Sequence, residues 1–326
     1  MPRAIEVRTG ARLHFGPFAS GAESGRCFGG IGMMIASPGL SFRAVEHDTE
    51  RFIGCSAETS ERIRKLRESW NSALNSSKAT DSPLSWEFDT APAEHCGFGT
   101  GTQLSLAVAA VLALREGDRS PDLSAIARRC GRGRRSAIGL HGFAQGGFLV
   151  DAGQAGQGAL GELAVRLPVP EAWRIVTLQP RHSGQGLSGA CELAAFEALP
   201  PMAPALTDRL CRLTLMEILP ALQAADCGGF GSAVAEYGRV IGDYFCSVQG
   251  GILADPRVRA LAQHWPSLGQ QLVQSSWGPG VALFAPTQTA AEEWHRDLKT
   301  RLPDKEWLIT LSPPLNHGAT IRAVSV

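Results

Sequence analysis

The residues His95-Cys96-Gly97-Phe98-Gly99-Thr100-Gly101-Thr102-Gln103 set three glycines at alternate positions just before an almost wholly apolar stretch, 103–114. Glycines at that spacing leave backbone N–H groups unshielded. A helix starting there adds its own unpaired N–H groups and partial positive charge, which together make an anion site suited to phosphate or pyrophosphate. Thr100 as N-cap with Gln103 three residues on fits a capping box. The plainer reading is a well-capped core helix with a flexible entry. Two familiar loops are excluded: no Lys completes a Walker A pattern, and Thr102 stands where a dinucleotide fingerprint needs its third glycine.

A second anion-seeking segment is Gly131-Arg132-Gly133-Arg134-Arg135-Ser136. Guanidinium groups hold phosphate or carboxylate through paired hydrogen bonds; the alternative is a solvated basic loop. Asp151 closes the apolar run 148–150. Such a carboxylate can hold Mg²⁺, accept a proton or stabilise positive charge on a sugar ring, or it can simply form a turn. Ser275 and Ser276 precede Trp277, pairing a polar anchor with a flat aromatic wall; a strand turn is the alternative. Strand alternation puts Arg12 and His14 on one face, opposite Leu13 and Phe15, where His14 is either catalytic or a hydrogen-bonded structural residue.

The elements that position these residues are mixed. Strands are expected at 4–8, 11–15, 32–35 and 41–45, with Ser37-Pro38-Gly39 as a turn, and at 84–88 and 148–150. Helices are expected at 58–76, 103–114, 121–130 and 138–145. After a Gly/Ala-rich stretch at 153–161, strands are expected at 163–167, 173–178, 281–284, 307–311 and 320–324. Helices are expected after 184–189 and at 207–224, 232–245 and 289–302. No regular βαβ period appears, so the fold class is α+β in two lobes. Thirty-one basic residues balance thirty-one acidic ones, which argues against a general nucleic-acid partner. Eight cysteines without a C-x-x-C pair read as reduced thiols of a cytoplasmic protein. Neither a secretory signal nor a membrane span is expected.

Taken together, the segments 11–16, 28–33, 95–103, 131–139, 146–153, 186–189 and 274–279 resemble the GHMP kinase superfamily, and within it the beta-ribofuranosylaminobenzene 5'-phosphate synthase family. The resemblance implies an N-terminal β-rich lobe with a phosphate loop over residues 1–160. It implies a C-terminal ferredoxin-like α/β lobe over 161–326. It also implies a reaction in which phosphoribosyl pyrophosphate and 4-aminobenzoate (or 4-hydroxybenzoate) condense, with loss of CO2 and pyrophosphate, in methanopterin biosynthesis. On this resemblance Asp151, Arg134 and His14 are the catalytic candidates. Arg12, Gly29, Gly30, Gly97, Gly99, Thr100, Gly101, Thr102, Gln103, Arg132, Arg135, Ser275, Ser276 and Trp277 are the substrate-binding candidates. Trp277 offers a slot for the benzoate ring, and Asp151 is the candidate for Mg²⁺. ATP is not expected, and a homodimer is. Two other readings remain: a small-molecule kinase of the superfamily using ATP, and a non-catalytic ligand-binding member of the fold.

Overall fold

In strand β1, Arg3–Gly16, the buried apolar residues Val7, Ala11, Leu13 and Phe15 alternate with polar ones, so one side of the strand must be covered. The computed structural model describes residues 3–21, 25–72, 82–91, 96–118, 122–156, 158–181 and 198–325. β1 pairs antiparallel with β2, Gly30–Glu46. Each is one long strand where two short ones were expected. Pairing passes from Thr9↔Leu40 to Ala11↔Ile35, so residues 36–39 bulge out of the ladder. Pro38, which has no N–H to donate, sits in that bulge, and Ser37-Pro38-Gly39 therefore interrupts β2 without ending it.

The chain continues through β3 (Arg51–Ile53), α1 (Ala57–Ser72), β4 (Leu84–Thr90), α2 (Thr100–Arg115), α3 (Leu123–Arg129), α4 (Ile138–Gln145) and β5 (Phe148–Asp151). β6 (Leu163–Leu167) and β7 (Arg174–Pro180) follow. The last strands are β8 (Val273–Gln274), β9 (Val281–Ala285), β10 (Trp307–Ser312) and β11 (Thr320–Ser325). The first sheet runs β11-β1-β2-β4-β3, with β5 paired to β2 and β6 to β5; the second is β10-β7-β9-β8. The sheets therefore do not part at residue 160. β6 belongs to the first sheet, and β11 returns to it from the far end of the chain.

Helix α2 is buried continuously from Gln103 to Ala113, as its composition demands. It packs with α1, α3 and α4 against Ile5, Val7, Phe42 and Trp86 of the first sheet. A second core lies between the sheets, where Phe230 of the helix Cys227–Tyr244 meets Phe148, Trp173 and Phe284. A third seats the helix Gln288–Arg301 on Val176, Leu178 and Leu283. This α+β architecture, with one sheet per lobe, is the expected class.

Some element boundaries differ from expectation. Helix 207–224 is Pro204–Leu213 and Leu219–Gln223 joined by a π-helical turn, Thr214–Ile218. Pro220 has no N–H for the α-helical bond, and the wider turn lies directly before it. The helix expected at 232–245 starts at Cys227, because Asp226 caps it through the Gly229 N–H despite the glycines there. The segment 184–189, most of the helix after it, and His95 lie outside the described residues. No disulfide joins the described cysteines, and no described helix is long and apolar enough to cross a membrane.

Candidate functional site

The glycine loop meets α2 at Gly99, whose φ of 66° places it in the left-handed region that favours glycine. Gly99, not Thr100, is the N-cap, and the N–H groups of Thr102 and Gln103 both donate to its carbonyl. The expected capping box does not form. Gln103 is fully buried; its Oε1 accepts from Thr9 Oγ1 at 2.8 Å, and its Nε2 donates to the Gly139 carbonyl at 3.0 Å. It ties β1 and α4 to α2 and is not a ligand contact. Thr100 is also buried, whereas Gly97, Gly99, Gly101 and Thr102 are partly exposed. The glycine alternation thus gives the loop one open face.

What lies against that face differs from glycine to glycine. A methyl group on Gly97 would come within 2.8 Å of the Ser275 and Gly278 carbonyls. There the close approach is to the protein's own turn. On Gly99 a methyl would meet the Arg12 guanidinium, with Nε at 2.9 Å; on Gly101 it would meet the Arg62 guanidinium, with Nη1 at 2.7 Å. Arg12 is fixed at its backbone, where its N–H donates to the Phe98 carbonyl at 2.8 Å. Arg132 reaches in from the loop before α4, donating from Nη2 to Ser105 Oγ at 2.8 Å and lying 3.4 Å from the Gly101 carbonyl. Guanidinium groups from three separate elements therefore gather at the electropositive end of α2.

The triple-arginine segment divides. Arg132 joins α2, and Arg135 acts on His14. Arg134 is exposed, with its head back over Gly131 and its carbonyl accepting from Gln154 Nε2 at 2.7 Å. Its expected catalytic position is not where the structure places it. His14 sits two residues beyond Arg12 on β1, 9% exposed, and its Nε2 has no hydrogen-bond partner. Burial, then the charges of Arg12 and Arg135, hold its pKa well below the ordinary 6.5, so its imidazole is neutral at pH 7.

The Ser275–Trp277 turn closes on the same place. Ser275 is fully buried; its Oγ donates to the Gly97 carbonyl at 2.7 Å and accepts from the His14 N–H at 3.1 Å. The Ser276 N–H donates to the His14 carbonyl at 2.7 Å. Ser275 thus braces the loop, and the Ser276 backbone braces β1. Trp277 does not offer an open wall: it is buried, with its ring 4.4 Å from that of Phe245.

Asp151 is likewise turned inward. It is fully buried, with Oδ2 accepting from the Ala137 N–H at 2.7 Å and Oδ1 from the Gly153 N–H at 2.8 Å. Burial raises its pKa, while those two amides and the charges of His141 and Arg26 pull it down. It anchors the start of α4 to β5 and does not face a ligand. Among the described residues no three His, Cys, Asp or Glu side chains gather around a metal position. Gly29 and Gly30 are also structural. Methyl groups there would strike the Asp151 carbonyl at 2.7 Å and the Gly16 carbonyl at 2.2 Å.

Arg62 was not visible in the sequence. It lies in an amphipathic helix with three other basic residues, Arg64, Lys65 and Arg67, and nothing in the local sequence separates it from them. The usable signal was Gly101, a glycine in the first turn of α2 that has no positive φ to account for it.

The chain is 29% identical over 295 residues to the beta-ribofuranosylphenol 5'-phosphate synthase of Methanothermobacter thermautotrophicus, covering 84% of this chain and 87% of that protein. Proteins of the same name from Archaeoglobus fulgidus (28% over 242 residues; 71% and 74% covered) and Methanocaldococcus jannaschii (27% over 255 residues; 70% and 75% covered) also match. No family model matches the chain. Among solved structures, it is similar to a mevalonate diphosphate decarboxylase from Staphylococcus aureus (TM-score 0.64, 13% identity, 99% and 98% covered). A homoserine kinase from Cytophaga hutchinsonii is similar too (TM-score 0.59, 14% identity, 98% and 97% covered). At those identities the structural likeness establishes the fold alone. With three relatives of one name aligned over most of its length, and a fold of the GHMP-kinase kind, the chain is similar to the beta-ribofuranosylphenol 5'-phosphate synthases.

Proposed function

We propose that this enzyme transfers ribose 5-phosphate from phosphoribosyl pyrophosphate to a 4-substituted benzoate. The ring carbon bearing the carboxylate attacks ribose C1 as the bond from C1 to the pyrophosphate oxygen breaks. The ring–carboxylate bond then breaks, its electron pair restores aromaticity, and CO2 leaves. The products are an aryl riboside 5'-phosphate, CO2 and pyrophosphate. The relatives' name specifies a phenol, which favours 4-hydroxybenzoate over 4-aminobenzoate as acceptor.

The observation that carries this reading is the gathering of Arg12, Arg62 and Arg132 at the open glycines of α2. Positive groups fixed in advance stabilise negative charge as it builds on a departing pyrophosphate. Mg²⁺ belongs to the proposal as an ion carried largely by the substrate's own phosphate oxygens, as is usual for this cation. ATP has no part in the reaction as written. A cytoplasmic homodimer is proposed on the family resemblance, and light scattering of the purified protein tests the dimer.

Incubation with phosphoribosyl pyrophosphate, Mg²⁺ and each benzoate, without ATP, tests the reaction. Equal yields of CO2 and pyrophosphate are expected, with the faster rate on 4-hydroxybenzoate. Phosphorylation of a hydroxyl compound only when ATP is supplied would instead identify a kinase.

A further inference from the structure

We infer that the π-helical turn Thr214–Ile218 and the groove beside it form a two-fold interface with a second copy of this chain; this rests on the homodimer proposed above and adds to it the surface that makes it. The argument starts from the apolar stripe of the helix that contains the turn. Leu206, Leu210 and Leu213 recur at intervals of four and three, and the next inward apolar residues are Ile218 and Leu222. The interval of five from Leu213 to Ile218 is spanned by the π-helical turn, whose extra residue keeps both on the inner side. Leu215 and Met216 fall between them and are turned outward, 60% and 62% exposed. Among the described residues the other large apolar side chains left in solvent are Ile53 and Ile252, each standing singly in the sequence. Single exposed apolar residues need no explanation, whereas an adjacent pair rimmed by charge marks a contact surface.

Beside the pair, the same helix and the helix Cys227–Tyr244 enclose a groove of about 580 Å³. Its apolar lining is small: Pro220, Ala221, Ala224 and Ala233. The exposed carboxylates Glu217 and Asp226 line it too. Large apolar knobs and a small-residue groove thus lie side by side on one element. Turned about a two-fold axis at the π-helical turn, each copy offers Leu215 and Met216 to the groove of the other, the reciprocity that an isologous contact requires. Charge selects the same pairing. Arg212 and Glu217 are both exposed, and neither has an ion-pair partner among the described residues. Glu236, in the same groove, is already held by Arg209 and Arg239. In an antiparallel crossing, Arg212 of one protomer meets the acidic side of the other groove at the partner's Glu217, and symmetry makes the pair twice. A formal charge of zero raises no long-range repulsion between the copies.

Sedimentation equilibrium of the full chain tests this. Leu215→Glu with Met216→Glu sets two carboxylates per copy against an apolar groove that already carries acid, and is expected to weaken the dimer at least about 100-fold. Arg212→Glu should weaken it about 10-fold, and adding Glu217→Arg to that variant should bring the affinity back to within about threefold of the wild type. Ile252→Glu, at another exposed apolar residue, should leave the dimer intact. All of these positions are exposed, so each variant should keep the far-UV circular dichroism of the wild type. A dimer that persists in Leu215→Glu with Met216→Glu overturns the interface and leaves the homodimer standing on another surface. A charge swap that restores nothing also overturns the interface, and a monomeric wild type overturns both. Release of CO2 and pyrophosphate is measured separately, so its failure touches the synthase reading alone.

Discussion

His14 shows how a single residue can carry a site's electrostatics into its stability. Its folded pKa lies below the unfolded value, because burial and two guanidinium charges disfavour the imidazolium. Below pH 6.5 the unfolded chain therefore binds a proton that the folded chain refuses, and stability falls as pH drops through that value. His14→Gln removes this dependence. Urea unfolding at about pH 7.5 and about pH 5.5 should show the wild type losing roughly 1 kcal/mol more than the variant across that interval. A variant that loses as much as the wild type would place the titration elsewhere. At this scale the sequence was informative about which residue types mattered and less so about what they touch. Arg12, His14 and the glycines stood out by type and spacing. Apart from the Gly153 amide two residues on, the partners that make Gln103 and Asp151 structural are the Ala137 amide, the Gly139 carbonyl and the Thr9 hydroxyl, 14, 36 and 94 residues away, beyond the reach of any local pattern.

At the scale of elements, the mouth of α2 depends on a turn more than 170 residues downstream. The 96–99 loop is held by Ser275 Oγ on the Gly97 carbonyl and by the Gly280 N–H on the Cys96 carbonyl. Gly97→Ala forces a side chain into a left-handed residue and against two backbone carbonyls that cannot rotate away. A loss of at least about 2 kcal/mol is expected in urea unfolding, together with weaker pyrophosphate binding as the loop separates from its brace. Unchanged stability would mean that the brace is not rigid. Trp277, in the same turn, is not a substrate wall because its ring lies against Phe245. A tryptophan flanked by serines and glycines looks like a binding surface, but its apolar face is spent on Phe245, 32 positions earlier in the chain. The continuous burial of α2, by contrast, was legible because no polar stripe interrupts it.

The whole molecule is two sheets around a shared core, with a formal charge of zero and a local concentration of arginine. Leu13 and Ile31 of the first sheet, Phe230 between, and Phe284 of the second belong to one cluster, so neither lobe keeps its apolar surface covered without the other. The α+β class followed from the irregular mixture of strands and helices. The assignment of β6 and β11 to the first sheet did not, since register between distant strands leaves no local trace. Six residues of β11 pair with β1, from Arg3↔Ser325 to Arg8↔Thr320. Removing 320–326 should leave β1 as an open edge, and gel filtration should show aggregate where the full chain gives a discrete peak. A well-behaved truncated protein would show that the edge strand is dispensable.

That closure has a bearing on how the molecule is made. The partners in the β1–β11 ladder are separated by roughly 310 to 320 residues, which a ribosome adding about 5–20 residues per second spans in something like 15 to 60 seconds. Through that interval one flank of the earliest strand has no native neighbour, and intruding strands from other nascent chains meet no competitor. Slow growth at 37 °C or low chaperone supply should therefore cost this protein more yield than one whose first sheet is complete by mid-synthesis.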